Sequence, residues 1–189
     1  QYKIDAIRSQ ERKDWSKQVI EAATIENLDK TAINLAREKY KEKMNQEHIS
    51  KEVDEMTDEE FLTKVKLLIG GKVTNAGMLL LGSADYDYLM TSAPSIMWRL
   101  YGADGSDKDY EIFKIPFINV VDKVFSKVRN LTYRYMPNQL TLFPMETEQY
   151  NSWLIRELLN NCIAHTNYQL GGRIYVNEFE DKIKFTNPG

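Results

Sequence analysis

The patterning of this chain predicts an α+β protein, a helical N-terminal linker followed by an α/β sandwich, and three observations carry that reading. Residues 30–69 place apolar side chains at helical spacing among dense charge. Residues 96–115 and 173–186 instead alternate apolar with polar residues around turn signals, the period of half-buried strands. Between them, Trp153-Leu-Ile-Arg-Glu-Leu-Leu-Asn-Asn-Cys-Ile-Ala-His165 returns to a helical period, with Leu154, Ile155, Leu158, Leu159, Cys162 and Ile163 as its apolar positions.

In chain order, Tyr2, Ile4 and Ala6 alternate as a short strand, and Trp15, Val19 and Ile20 stand at helical spacing between Glu11 and Ala22. Ile25 to Asp29 reads as a turn, with Asp29 the N-cap of a helix to Asn45 whose stripe is Ile33, Leu35, Ala36 and Tyr40. Residues 37–60 mix both signs of charge, the mark of a solvated helical linker rather than of a nucleic-acid-binding arm. Thr57-Asp-Glu-Glu60 is a capping box opening a helix through Phe61, Leu62, Val65, Leu68 and Ile69, which Gly70-Gly71 is expected to end. Thr74 or Asn75 then caps a short apolar helix to Leu81, closed by Gly82.

Ile96–Tyr101 and Tyr110–Ile115 flank a Gly- and Asp-rich turn as a hairpin, and Phe117 to Asn130 carries Ile118, Val121, Val124, Phe125 and Val128 at helical spacing. Leu131–Tyr135 reads as a strand before a loop from Pro137 to Pro144. After the Trp153 helix, Tyr168-Gln-Leu-Gly-Gly172 is a turn, and Arg173–Phe179 and Asp181–Thr186 form a second hairpin that Asn187-Pro188-Gly189 breaks. The resulting division is a helical linker over residues 1–72 and a second region over 73–189.

The 189 residues are 42% hydrophobic and 28% charged, ordinary for a globular chain, and the net charge of −3 gives no overall basic footprint. The single Cys162 excludes an internal disulfide and a cysteine metal cluster, which fits the cytoplasm. No apolar run reaches the roughly 18 residues of a membrane span, so no membrane partner is expected. A first residue other than Met and an abrupt end at Gly189 lead us to expect a piece of a longer chain.

Glu157, Asn161 and His165 stand at i, i+4 and i+8, so a helix sets a carboxylate, an amide and an imidazole in one row. A carboxylate can serve as general base and an amide oxygen can ligate Mg²⁺, although Glu-x-x-x-Asn alone is a common spacing. His165 is equally explained by the dipole at a helix C-terminus, and His48, the other histidine, lies in the charged linker, which disfavours a metal cluster. Arg129, Arg134 and Arg156 can reach phosphates or form ordinary ion pairs. Trp98, Tyr101, Tyr133 and Tyr135 can stack on bases or, at strand spacing, fill a core.

Glu157-x-x-x-Asn161, Ala164-His165-x-x-Tyr168, the two strands and Asn187-Pro188-Gly189 together resemble the ATP-binding domain of bacterial transcriptional regulators and RecG-related proteins, which is similar to the Bergerat-fold (GHKL) ATPases. Upstream, Ala23-Thr-Ile-Glu-Asn-Leu-Asp29, Phe61-Leu-x-Lys-x-Lys-Leu, Lys72-Val-Thr-Asn-Ala-Gly-Met-Leu-Leu-Leu-Gly82 and Arg129-Asn-Leu-x-Tyr-Arg-Tyr135 resemble the linker and middle region of the same family. The resemblance implies ATP and Mg²⁺ as cofactors, Glu157 as the catalytic carboxylate that orients water, and Asn161 as the metal-ligating amide. It also implies nucleotide contacts from Asn160, Asn161, His165, Asn187 and Gly189, the last two matching the first glycine box.

In full-length relatives a Schlafen-type, Alba-like domain precedes this region, so DNA is expected as a partner through that domain. Further ATPase elements and often a winged helix follow, and homo-oligomerisation is left open. This chain has Thr166, Asn167 and Asn187 where relatives often carry Arg, Asp and Asp. Asn187 keeps a hydrogen-bonding carbonyl but not the charge, so the expectation is for binding, with hydrolysis left open. The rival readings are a dimerisation or protein-interaction scaffold with a degenerate nucleotide site, and a RecG-related helicase component. The helicase reading is weakened by the lack of a P-loop sequence.

Overall fold

A computed structural model describes residues 14–135 and 144–189. The expected strand at the N-terminus and most of the loop after Pro137 lie outside the described residues. The protein is α+β, and its chain parts into two compact units after Thr91.

In the first unit the helix expected around Trp15 is only a 3-10 turn, Trp15–Lys17. Asp14 accepts hydrogen bonds from the Ser16 backbone and hydroxyl, and the chain then runs extended, with Ile20 N donating to Val73 O at 2.8 Å. A local Asp side-chain turn thus competes successfully with a weak helical pattern.

Helix α1, Lys30–Met44, starts where expected, because Asp29 Oδ1 accepts from Thr31 N at 2.7 Å and Ala32 N at 3.1 Å. Helices α2, Glu47–Glu55, and α3, Asp58–Lys64, follow, α3 opened by the Thr57/Glu60 capping box. Arg37 ties the three together: its guanidinium donates to Val53 O, Met56 O and Asp58 Oδ1 and lies 4.8 Å from the Phe61 ring centre. The mixed charge of this region is spent on such pairs within the unit, among them Lys41 with Glu38 and Asp54 and Lys64 with Glu52.

The expected continuation of α3 to Gly70 does not occur. Lys66 adopts φ 60, and Leu68–Ile69 (β1) pairs antiparallel with Lys72–Val73 (β2) around Gly70 and Gly71, whose φ values are +56 and +75. Positive φ at both central residues is what a tight hairpin turn of the primed type demands, and two glycines supply it without strain. This hairpin straddles residues 72/73, where the sequence pattern divides linker from middle region. Helix α4, Asn75–Leu81, is then capped by Thr74, whose hydroxyl accepts from Gly77 N at 3.0 Å. Ala32, Ile33, Val53, Phe61, Leu62, Leu68, Val73, Met78 and Leu81 are buried as the core of this unit.

The second unit is built on a four-stranded mixed sheet in the order β4-β3-β7-β8. Strands β3, Ser95–Tyr101, and β4, Asp107–Phe113, form the expected hairpin. Strand β7, Arg173–Glu178, joins β3 in parallel and pairs antiparallel with β8, Ile183–Thr186. The long parallel crossover carries helix α5, Val120–Lys127, a separate hairpin of β5, Thr132–Tyr135, with β6, Met145–Glu148, and helix α6, Ser152–His165. Strand β6 has no sequence signal, since Met-Glu-Thr-Glu shows no apolar alternation and every residue of these two strands is exposed.

On one face of the sheet Ile96, Trp98, Phe113, Ile174, Val176 and Glu178 are buried, together with Val120 and Val124 of α5 and Ile155, Leu159, Cys162 and Ile163 of α6. Arg156 joins the helices, bonding Asp122 at 2.9 Å and lying 3.9 Å from the Phe125 ring centre. Among the described residues no helix is long and apolar enough to cross a membrane.

Candidate functional site

Helix α6 positions the row read from the sequence. Asn151 caps it by accepting from Trp153 N and Leu154 N, and the buried set Ile155, Leu159, Cys162 and Ile163 fixes which side faces inward. The opposite side then carries Glu157, half-buried, with Asn160, Asn161 and His165 exposed. Asn161 Nδ2 donates to Glu157 Oε1 at 3.4 Å, so the amide and the carboxylate already touch.

At its C-terminal end the helix is closed by Thr166, whose hydroxyl donates to Cys162 O at 2.6 Å, and by Tyr168, whose phenol donates to Ile163 O at 2.8 Å. Burial raises the Tyr168 phenol well above its ordinary range, so it remains a neutral donor. Here the chain end returns: Asn167 N donates to Pro188 O at 2.8 Å, which sets Asn187, Pro188 and Gly189 beside the end of α6. Gly172, at φ +102, lets this happen, since a Cβ there would stand 3.1 Å from Pro188 Cγ. Asn187 is half-buried and its Nδ2 reaches only Pro188 O, at 3.4 Å.

The structure therefore brings Asn187 and Gly189 to the His165 end of the helix. Glu157 lies two turns away, about 12 Å along the axis. Among the described residues no three His, Cys, Asp or Glu side chains cluster as a metal site. A single amide ligand fits Mg²⁺ nonetheless, because that ion keeps water and substrate phosphates as its other ligands.

The candidate arginines have local partners. Arg129 bonds Glu178, Arg134 bonds Glu146 and Arg156 bonds Asp122. Trp98 is core, and Tyr101 stacks on Phe179 with ring centres 4.7 Å apart. Tyr133 and Tyr135 are exposed on the β5/β6 hairpin, and His48 is exposed on α2 in the first unit.

Sequence reasoning missed Glu178. This carboxylate is 2% exposed and accepts from Trp98 Nε1 at 3.0 Å, Arg129 Nε at 2.9 Å and Arg129 N at 3.2 Å. The signal was available, because Ile174, Val176 and Glu178 share the inward face of one strand, so an acid stands in an apolar series. A cavity of about 200 Å³ opens beside it, lined in part by Arg129, Leu131, Tyr150 and Phe179.

Residues 5–91 match a family described as a domain of unknown function, DUF8451. Among solved structures the chain is similar to the crystal structure of the DIP2311 protein from Corynebacterium diphtheriae, with a TM-score of 0.70 and 20% identity. The likeness is one of fold. It covers 98% of this chain and 35% of that one, so the chain spans about a third of the length of DIP2311. No curated protein matches.

Proposed function

We propose that this chain is the middle region and the beginning of a GHKL-like ATP-binding module from a DNA-binding transcriptional regulator. The observation that supports this best is the bond from Asn167 N to Pro188 O, which returns the Asn187–Gly189 segment to the helix that carries Glu157, Asn161 and His165. Asn187 and Gly189 thus lie beside the C-terminal end of that helix. In this reading Asn161 supplies an oxygen to Mg²⁺ beside the phosphates and Glu157 aligns a water. Asn160 and His165 contact the nucleotide, and Asn187 with Gly189 receives the adenine edge. The bound ion would neutralise phosphate charge. DNA binding belongs in this reading to a preceding domain of the Alba-like type.

Titration calorimetry with ATP and Mg²⁺ tests the proposal. The wild type is expected to release heat, and Asn161→Ala to lose about 1.5–3 kcal/mol of binding as a charge-assisted contact disappears. Glu157→Ala should leave binding nearly intact and remove any turnover, since an aligned water matters in the transition state and hardly in the ground state. No heat and no thermal stabilisation at millimolar nucleotide would refute it. That outcome would leave a dimerisation scaffold, which the exposed Trp153 and Leu154 on α6 favour.

A further inference from the structure

The four-stranded sheet has a second face, opposite to the one buried with α5 and α6. Strand register puts Ile112, Met97, Tyr175 and Thr186 in one row across all four strands, and Tyr110, Arg99, Asn177 and Lys184 in the next. Tyr110 is 61% exposed and Tyr175 36% exposed, on a surface where a soluble sheet would ordinarily show short polar side chains. Arg173 and Lys184 are exposed on this same face, and Lys182 Nζ stands 5.5 Å from the Phe179 ring centre at its margin.

Charge decides what fits. The second unit has eleven basic and eleven acidic residues, yet of the acids on the four strands only Asp107 lies on this face, 3.7 Å from Arg99. On these strands the cations Arg99, Arg173 and Lys184 thus outnumber the one acid that shares their face. Arg99 is also poorly accommodated: it donates to Tyr101 Oη at 3.2 Å and to the Met97 sulfur, and its buried Nε has no partner. A guanidinium with one unsatisfied donor gains a further hydrogen bond by turning to an anion.

We propose that this open sheet face binds single-stranded nucleic acid, with Tyr175 and Tyr110 stacking on bases and Arg99, Arg173 and Lys184 holding the phosphates. An open sheet face with spaced aromatics and flanking cations suits unstacked bases, because every base offers a π-face. The site is independent of the nucleotide reading, and its test contains no ATP.

The test is fluorescence anisotropy with labelled 12-residue dT and rU strands, run over about 50 to 200 mM salt. Saturable binding that weakens with salt is expected. Tyr175→Ala should weaken it roughly tenfold. Lys184→Glu should weaken it and lower the salt slope by about 0.7, one phosphate contact on a single strand. Circular dichroism of each variant should match the wild type, since both side chains are at least 36% exposed or surface charges. Tyr88→Ala, at an exposed tyrosine of the first unit, should change nothing. No saturable binding at protein concentrations on the order of 10⁻⁴ M would overturn the proposal. Equal loss in Tyr88→Ala would do the same, as would sedimentation showing that Tyr175→Ala dissociates a dimer, which would make the face a contact between copies.

Discussion

Gly77 lies inside a short helix, where alanine ordinarily adds up to about 1 kcal/mol of stability. Here that rule reverses. A Cβ at this position would stand 2.5 Å from the Leu67 carbonyl oxygen and 2.9 Å from Val73 Cγ1, and the first of these atoms is backbone. The helix must approach that closely because Thr74, fully buried, both caps it and donates to Leu67 O at 3.2 Å. Gly77→Ala is therefore expected to cost about 1–3 kcal/mol, read as a lowered urea midpoint with unchanged slope. Glu178 makes the same point for a charge: its two oxygens hold an indole, a guanidinium and a backbone amide, so the group that looks least at home in the core organises its neighbours. The row of Glu157, Asn161 and His165 was legible because a helical period fixes which residues share a face. Glu178 stands out in the sequence only as an acid in an inward-facing apolar series, and its partners Trp98 and Arg129, far away in the chain, were not legible.

At the scale of elements, the starts of the helices with explicit caps were legible to within a residue or two: Asp29, Thr57, Thr74 and Asn151 each accept from the first turn. The β3/β4 and β7/β8 hairpins were legible from alternation, although their parallel junction through β3 and β7 is a long-range choice that local pattern does not contain. What failed was the segment after α3, where Phe61, Leu62, Val65, Leu68 and Ile69 keep a helical period by coincidence. Glycine pairs end helices and also make two-residue hairpin turns, and only the pairing of Leu68 with Val73 decides between them. The turn gives a direct check. Gly70→Asn should be tolerated within about 0.5 kcal/mol, because Asn accepts positive φ, whereas Gly70→Val should cost roughly 1–2 kcal/mol for a branched side chain forced there. Both are measured by thermal unfolding, and equal loss in the two variants would mean that the turn is not of this type.

Across the whole molecule, the net charge of −3 and the open sheet face pull in opposite directions for nucleic acids. Duplex DNA is bound nonspecifically through many phosphates at once, with affinity set by how many cations track the backbone. The three cations of the sheet face stand beside tyrosines that cannot reach bases stacked inside a duplex, and the β5/β6 hairpin adds Arg134 only as a partner of Glu146. No described helix carries an unpaired basic stripe of the sort that enters a major groove, since the lysines of α1 at positions 39 and 41 are bonded to Glu42, Glu38 and Asp54. This chain should therefore bind duplex DNA no more tightly than about 10⁻⁴ to 10⁻⁶ M at physiological salt, without sequence preference. A gel-shift titration against duplexes of unrelated sequence measures this, with the matching single strands run alongside. Weaker binding to the duplex than to its separated strands is the expected order. Nanomolar binding to one duplex sequence would place a DNA-reading surface within this chain.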